Sequence, residues 1–365
     1  MSDDIIPIPK EQRRGRGATK NPEGRFEIAA RDFIDDGWHH MAQGEETESP
    51  VTTITTEFPK TIISRNSSPD LPFDRSINPY RGCEHGCIYC YARPSHAYMN
   101  LSAGLDFERL LFAKPNAPEL LAREIARPSY KCAPIALGTN TDPYQPIERR
   151  LAITRQVIEL LGQARHPFTI TTKSNLVLRD IDLLAKLAKD DLVAVGISVT
   201  TLDRRLARLM EPRATAPHKR LAAIEALAAA GVRTFVQASP MIPGLNDQEL
   251  EEILTAAREK GATNASCILL RLPWDVAELF ESWLQEHFPD RAARVMSLVR
   301  STREGKNYDA AFSQRMVGSG PYAKLIGNRF QLACKRLGFE RHGKYNLRSD
   351  LFIPPGRDWR QMDLF

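Results

Sequence analysis

The sequence predicts an α/β fold: six βα units around one parallel sheet, preceded by a polar extension and followed by a mostly helical one. Three observations carry this expectation. Short apolar runs alternate with longer amphipathic segments from about residue 75 onward. Glycines stand where several of those segments should end. Polar or chemically active residues follow most of the apolar runs. Such alternation is the pattern of βαβ units.

The elements follow in order. A first strand ends near Ile77. PIAL (134–137) precedes a helix over 147–161, with Ile147, Leu151, Ile158 and Leu161 on one face. FTITT (168–172) precedes a helix over 180–189, and LVAVGISV (192–199) one over 217–230. RTFVQA (233–238) precedes a helix over 247–260, and SCILLRL (266–272) one over 275–287. Gly162, Gly231 and Gly261 occupy C′ positions, where a left-handed residue closes a helix. Six units fit an incomplete (β/α) barrel or a doubly wound sheet, and both place functional residues at the C-terminal strand ends. The expected division is an N-terminal extension (1–70), a core (71–272) and a basic helical extension (273–365).

Composition sets the outer bounds. The chain has 365 residues, 42% hydrophobic and 26% charged, as an ordinary globular protein does. Collagen-like, fully disordered and disulfide-scaffold classes are excluded. No run approaches 18 apolar residues and no h-region opens the chain, so a cytoplasmic location without a membrane partner is expected. Net charge is +5, yet residues 300–365 hold 13 Lys/Arg against 6 Asp/Glu. Residues 1–70 show no lasting period and read as disordered or draped over the core. Arg13, Arg14 and Arg16 there suit a nucleic-acid contact or, more plainly, a solvated tail.

Six cysteines lie at 83, 87, 90, 132, 267 and 334, and the first three fall in INPYRGCEHGCIYCYARPS. Gly82 and Gly86 let that loop curl tightly, and thiolates at such spacing converge on soft metal centres. Three readings compete. Structural zinc needs a fourth ligand, such as His85 or His96. Inert core cysteines suit a short polar loop badly. A [4Fe–4S] cluster with three protein ligands leaves one iron open.

The C-x-x-x-C-x-aromatic-C arrangement of Cys83, Cys87, Tyr89 and Cys90 resembles the radical S-adenosylmethionine (SAM) superfamily. Residues 77 to about 245 further resemble its spore photoproduct lyase branch, whose members are often labelled DNA-repair photolyases. The shared motifs are NPYRGCEHGCIYCYA, GTNTDPYQPIE, TTKS, SVTT and EPRATAPHKRLAAI, in order. The resemblance implies a partial (βα)₆ TIM-like barrel. It also implies a [4Fe–4S] cluster on Cys83, Cys87 and Cys90, with SAM on the open iron. Reductive cleavage of SAM then gives a 5′-deoxyadenosyl radical that abstracts hydrogen. An electron donor such as flavodoxin or ferredoxin is implied as well.

The strand ends also have readings of their own. Asn140 and Asp142 in GTNTD offer groups for an ammonium and hydroxyls, or form an Asx/Pro turn. Lys173, after the third strand, points into the barrel mouth or to water; by resemblance it meets the SAM carboxylate. Ser198 ends the fourth strand and by resemblance contacts the ribose. Glu211 and Arg213 suit either a loop-fixing ion pair or a ligand contact. Ile242 and Gly244, in the turn after the fifth strand, resemble an adenine-binding turn, and Asn246 or Asp247 should cap the following helix.

The resemblance fails at one position. The lyase has a hydrogen-returning cysteine where this chain has Thr139, and a threonine O–H bond is too strong for that step. Tyr91 matches a tyrosine assigned to a radical relay and equally suits packing at the rim. Cys132, Cys267 and Cys334 read as buried apolar residues. The substrate is left open. Nucleic acid is favoured by Lys335, Arg336, Arg341, Lys344 and Arg348 with Tyr322, Phe330 and Tyr345 interleaved. Protein or small-molecule modification is the alternative, as is an iron–sulfur or zinc-binding sensor without turnover.

Overall fold

The computed structural model describes residues 15–22, 51–340 and 347–356. Ten strands occur among them: β1 (Thr53–Thr56), β2 (Ile63–Arg65), β3 (Arg75–Ile77), β4 (Tyr80–Arg81), β5 (Leu110–Ala113), β6 (Ile135–Leu137), β7 (Phe168–Thr172), β8 (Val193–Ser198), β9 (Arg233–Met241) and β10 (Asn264–Leu269). The main sheet runs β10-β9-β8-β7-β6-β3-β2. All pairs from β3 to β10 are parallel, and β2 joins antiparallel to β3. Successive strands are neighbours with no reversal of order. A doubly wound sheet reverses at its switch point, so the winding is that of a partial barrel, open between β2 and β10.

Local chemistry explains most elements. All six residues of β8 are buried, as expected of a parallel strand covered on both faces. Gly196 lies against the Phe235 ring, where any Cβ would collide. Pro217 opens the helix Pro217–Ala229, where a missing N–H costs nothing. Gly231 and Gly261 adopt positive φ at helix ends, as expected.

Several expectations need correction. Gly162 does not end its helix; it lies inside Ile153–Gln163, against Leu187. The stretch 147–161 forms two helices, Glu148–Leu151 and Ile153–Gln163, separated by left-handed Ala152. The buried Glu148 carboxylate accepts the Thr154 N–H and holds that bend. Asn246 and Asp247 do not cap the next helix. Asn246 Oδ1 accepts the Ile242 N–H at 2.7 Å and Asp247 Oδ1 the Gly244 N–H at 2.7 Å, so both side chains tie the preceding turn. Cys267 stands within β10 rather than at its start, and Cys132, Cys267 and Cys334 are half-buried rather than buried.

The N-terminal extension belongs to the draped alternative wherever it is described. β1 pairs parallel to β5, which also pairs with β4. Arg16 is no solvated tail: it is 8% exposed and donates to the Glu108 carbonyl and to Thr52. Arg13 and Arg14 lie outside the described residues.

Among the described residues, two large apolar clusters and a small one of Cys83, Ala92 and Phe107 form the interior. One large cluster joins the strand residues Ile77, Leu137, Ile170, Val195 and Val236 to helix residues such as Leu121, Val157, Leu184 and Leu227. The other joins Cys87, Ile88, Tyr89, Ile242 and Leu272 to Phe280, Trp283 and Val295. Trp283 and Val295 belong to the helices Asp275–His287 and Pro289–Ser301, so the C-terminal extension backs the cysteine loop. The helix Gly320–Leu337 lies against β10 and the helix Leu250–Glu259. Tyr322 and Phe330 pack on the core there, and the Tyr322 hydroxyl donates to Asp247. Both rings are half-buried. Arg348 pairs with Asp350; Arg341, Lys344 and Tyr345 lie outside the described residues. No helix among the described residues is long and apolar enough to cross a membrane.

Candidate active site at the barrel mouth

The cysteine loop leaves β4 through Gly82 (φ +74°) and turns again at Gly86 (φ +66°). The Cys83 N–H donates to the Phe107 carbonyl, and the Cys90 N–H donates to the Cys87 carbonyl. A Cβ on Gly82 would meet Leu111 and the Phe107 carbonyl, so glycine is a steric requirement there. All three thiols are free; Cys83 and Cys87 are buried and Cys90 half-buried.

Fully buried side chains hold this loop from behind. Arg93 donates to the Cys87 carbonyl at 2.9 Å and to the Ala103 and Gly104 carbonyls. It also pairs with Glu108 at 2.5 Å, both side chains being 0% exposed. Glu108 in turn accepts the N–H groups of Gly17 and Ala18. Gly17 is pressed so tightly on Gly86 that a Cβ would run into its carbonyl oxygen. From the other side, Gln145 accepts the Glu84 N–H and donates to the Gly82 carbonyl, to which Thr141 also donates. Arg93 and Gln145 lie inside the quoted motifs without having been singled out. Glu108 stands outside them, and nothing in its local sequence marks it.

A second network surrounds Tyr89. Its hydroxyl donates to Glu211 and lies 3.3 Å from Thr200 Oγ1. Glu211 pairs with Arg220, and Lys173 Nζ sits 5.8 Å from the Tyr89 ring centre. Burial works against the Glu211 carboxylate, but Arg220 and Lys173 hold it down at about 2. Burial likewise opposes the Lys173 ammonium, yet Cys87 and Glu211 raise it. Glu211 is thus the loop-fixing ion-pair partner, and Arg213 pairs separately with Glu84 at 3.1 Å.

The remaining residues divide. Asp142 is already engaged: it accepts from Thr172, from the Lys173 and Tyr144 N–H groups, and faces His85 Nδ1 at 3.3 Å. Burial opposes its charge, but His85 and these donors hold it at about 2. The Asn140 N–H donates to Asn78. Ser198 Oγ donates to the Ser239 carbonyl at 3.2 Å. Ile242 is 0% exposed in the same apolar cluster as Cys87 and Tyr89. Gly244 (φ +76°) abuts Leu298 of the backing helix rather than the mouth. Tyr91 stands at the rim, 46% exposed, with its hydroxyl on the Thr139 carbonyl and Arg271 4.7 Å from its ring centre.

The donor set suits a soft, multi-iron centre. Burial, with Asp142 next, pushes Cys83 well up, and burial pushes Cys87 up to about 12. They therefore stay neutral until a metal displaces their protons. No three His, Cys, Asp or Glu side chains among the described residues gather around one single-ion position. A four-iron cluster asks for a wider arrangement, with each thiolate on its own iron.

Comparison with known proteins agrees. The chain belongs to the radical SAM superfamily, whose family description matches residues 77–257. Enzymes of this superfamily use a [4Fe–4S] cluster and SAM, and this chain is a radical SAM enzyme. Among its relatives, the uncharacterized protein Rv2578c of Mycobacterium tuberculosis is 38% identical over 232 residues, spanning 63% of this chain and 68% of that one. The uncharacterized protein MJ0683 of Methanocaldococcus jannaschii is 31% identical over 173 residues, spanning 47% and 62%. The fold is similar to that of spore photoproduct lyase complexed with dinucleoside spore photoproduct, at TM-score 0.57 and 14% identity over 78% of this chain and 80% of that one.

Proposed function

We propose that Cys83, Cys87 and Cys90 hold the cluster and that the mouth of β7, β8 and β9 orients SAM for hydrogen abstraction from a substrate at the Tyr91 rim. When bound, the cluster and SAM supply an electron and a carbon-centred radical. The single observation that carries the reading is the convergence of Cys87, Tyr89, Lys173 and Ile242 at one place. Cys87, Tyr89 and Ile242 share one apolar cluster, and Lys173 Nζ lies 5.8 Å from the Tyr89 ring centre. Lys173 offers an ammonium to a carboxylate, Ser198 a hydroxyl to a ribose, and Ile242 an apolar face to adenine. Asp142 and Asn140 act one step back, tying the strand ends to the loop. Gly244 shapes the turn.

Thr139 gives the rim its own character. Its hydroxyl shares hydrogen bonds with Asn78, so no thiol stands there to return a hydrogen atom. The outcome therefore differs from a thiol-terminated repair, and Tyr91 is the rim group next to the substrate. A nucleic-acid substrate is supported by the likeness in fold to a protein complexed with a dinucleoside photoproduct.

Anaerobic reconstitution tests the reading. The expected result is a brown protein with about four irons per chain that yields 5′-deoxyadenosine with dithionite and SAM. Cys87→Ala should lose both iron and product. A colourless zinc protein would overturn the reading. Oligonucleotides that stimulate deoxyadenosine formation, less so as salt rises, would support the substrate class.

A further inference from the structure

A cleft of about 390 Å³ opens outside the cysteine loop, lined in part by His85, Tyr144, Arg149, Arg208 and Arg213. All three arginines are exposed. Arg204 and Arg205, also exposed, stand four and three residues before Arg208 on the helix Arg204–Met210. They share its face at that spacing. Among the described residues no ion pair neutralises Arg149, Arg204, Arg205 or Arg208; Arg213 alone pairs, with Glu84. The cleft therefore carries a strong positive field on a concave surface.

Its lining reaches the cysteine loop at one residue, His85. Glu84 and His85 stand between Cys83 and Cys87. The Arg213 N–H donates to the His85 carbonyl at 3.2 Å, binding the cleft wall directly to that segment. The rim at Tyr91, Thr139 and Arg271 leaves the loop after Cys90 instead, on the other side of the motif.

We infer that this basic cleft is the docking site of an acidic one-electron carrier protein of the flavodoxin kind, which reduces the cluster across the Glu84–His85 segment. The inference rests on the proposed function above. The carrier's reduced flavin loses one electron and the cluster gains it; no proton moves and no covalent bond forms or breaks. Charge complementarity selects an acidic partner and speeds its encounter. A nucleic acid fits less well. Strand binding uses aromatic platforms on which bases stack. The aromatic rings lining the cleft are both buried: Tyr144 gives its hydroxyl to Asp180, and His85 faces Asp142.

The test uses the reconstituted holoenzyme, flavodoxin as the probe, and the double variant Arg149→Glu/Arg208→Glu. Wild-type binding of flavodoxin should weaken as salt rises. The variant should bind it about tenfold or more weakly at low salt. Cluster bleaching by sub-saturating reduced flavodoxin should slow in proportion, while dithionite bleaching and dithionite-driven deoxyadenosine formation stay at wild-type levels. The milder Arg149→Gln/Arg208→Gln pair should show the same order of effects, reduced in size. Unchanged flavodoxin affinity, or loss of oligonucleotide binding with normal flavodoxin reduction, would overturn the inference. Absence of dithionite-driven cleavage in wild type would instead overturn the function on which it rests.

Discussion

The two ends of the barrel bury polar groups in opposite ways. At the mouth, Glu211, Arg220 and Lys173 crowd around Tyr89, and Asp142 faces His85. At the floor, where the strands begin, His166 accepts or shares a bond with the Tyr130 hydroxyl at 2.8 Å and lies edge-on to Phe352 at 5.2 Å. The floor hides a neutral ring among aromatics, with one buried cation, Arg75, whose partner Asp74 is exposed; the mouth buries both partners of its Glu211–Arg220 pair. Buried charge is costly and is kept where a ligand needs it.

The largest expected effect breaks the mouth. Arg220→Met leaves the Glu211 carboxylate buried without its cation. A loss of about 3–5 kcal/mol is expected in urea denaturation. Adding Glu211→Gln should recover much of it; no recovery would show that the pair is not the cause.

The floor has a pH signature of the opposite kind. Burial lowers His166 from 6.5 to about 4. Between those values the unfolded chain binds a proton that the folded chain refuses. Stability is thus whole above pH 6.5 and falls as pH drops towards 4, by on the order of 3 kcal/mol. His96, behind the cysteine loop, is lowered to about 4 by burial as well. His166→Gln should flatten the stability profile across this window and leave the His96 share. An unchanged profile would remove the floor from the account.

The smallest effect sharpens the picture of the mouth. Gly17→Ala should cost about 1–3 kcal/mol by overpacking. It should also expose residues 15–22 to limited proteolysis, with the His166 profile intact. Cleavage at the wild-type rate would mean that this segment does not strap the loop.

The six βα units and the gathering of three thiols in one loop were legible because each depends on local pattern: strand periodicity or cysteine spacing. What escaped depends on long-range closure. Glu108 meets Gly17 and Arg16 across some ninety residues, and no local pattern announces such a partner. The same holds for Asn246 and Asp247. Their composition suits a cap, but the fold directs their side-chain oxygens to the preceding turn. The packing of Tyr322 and Phe330 against the core was likewise hidden, because helical spacing alone does not say which face another element covers.

An unclosed barrel has two free margins, and each is handled differently. On one side β2 is a three-residue strand ending in an exposed arginine, too short and too charged to template another chain. On the other, the helices Gln314–Val317 and Gly320–Leu337 lie against β10. The C-terminal extension is therefore also a guard against edge-to-edge aggregation. Truncating it would turn a radical enzyme's scaffold into an adhesive one.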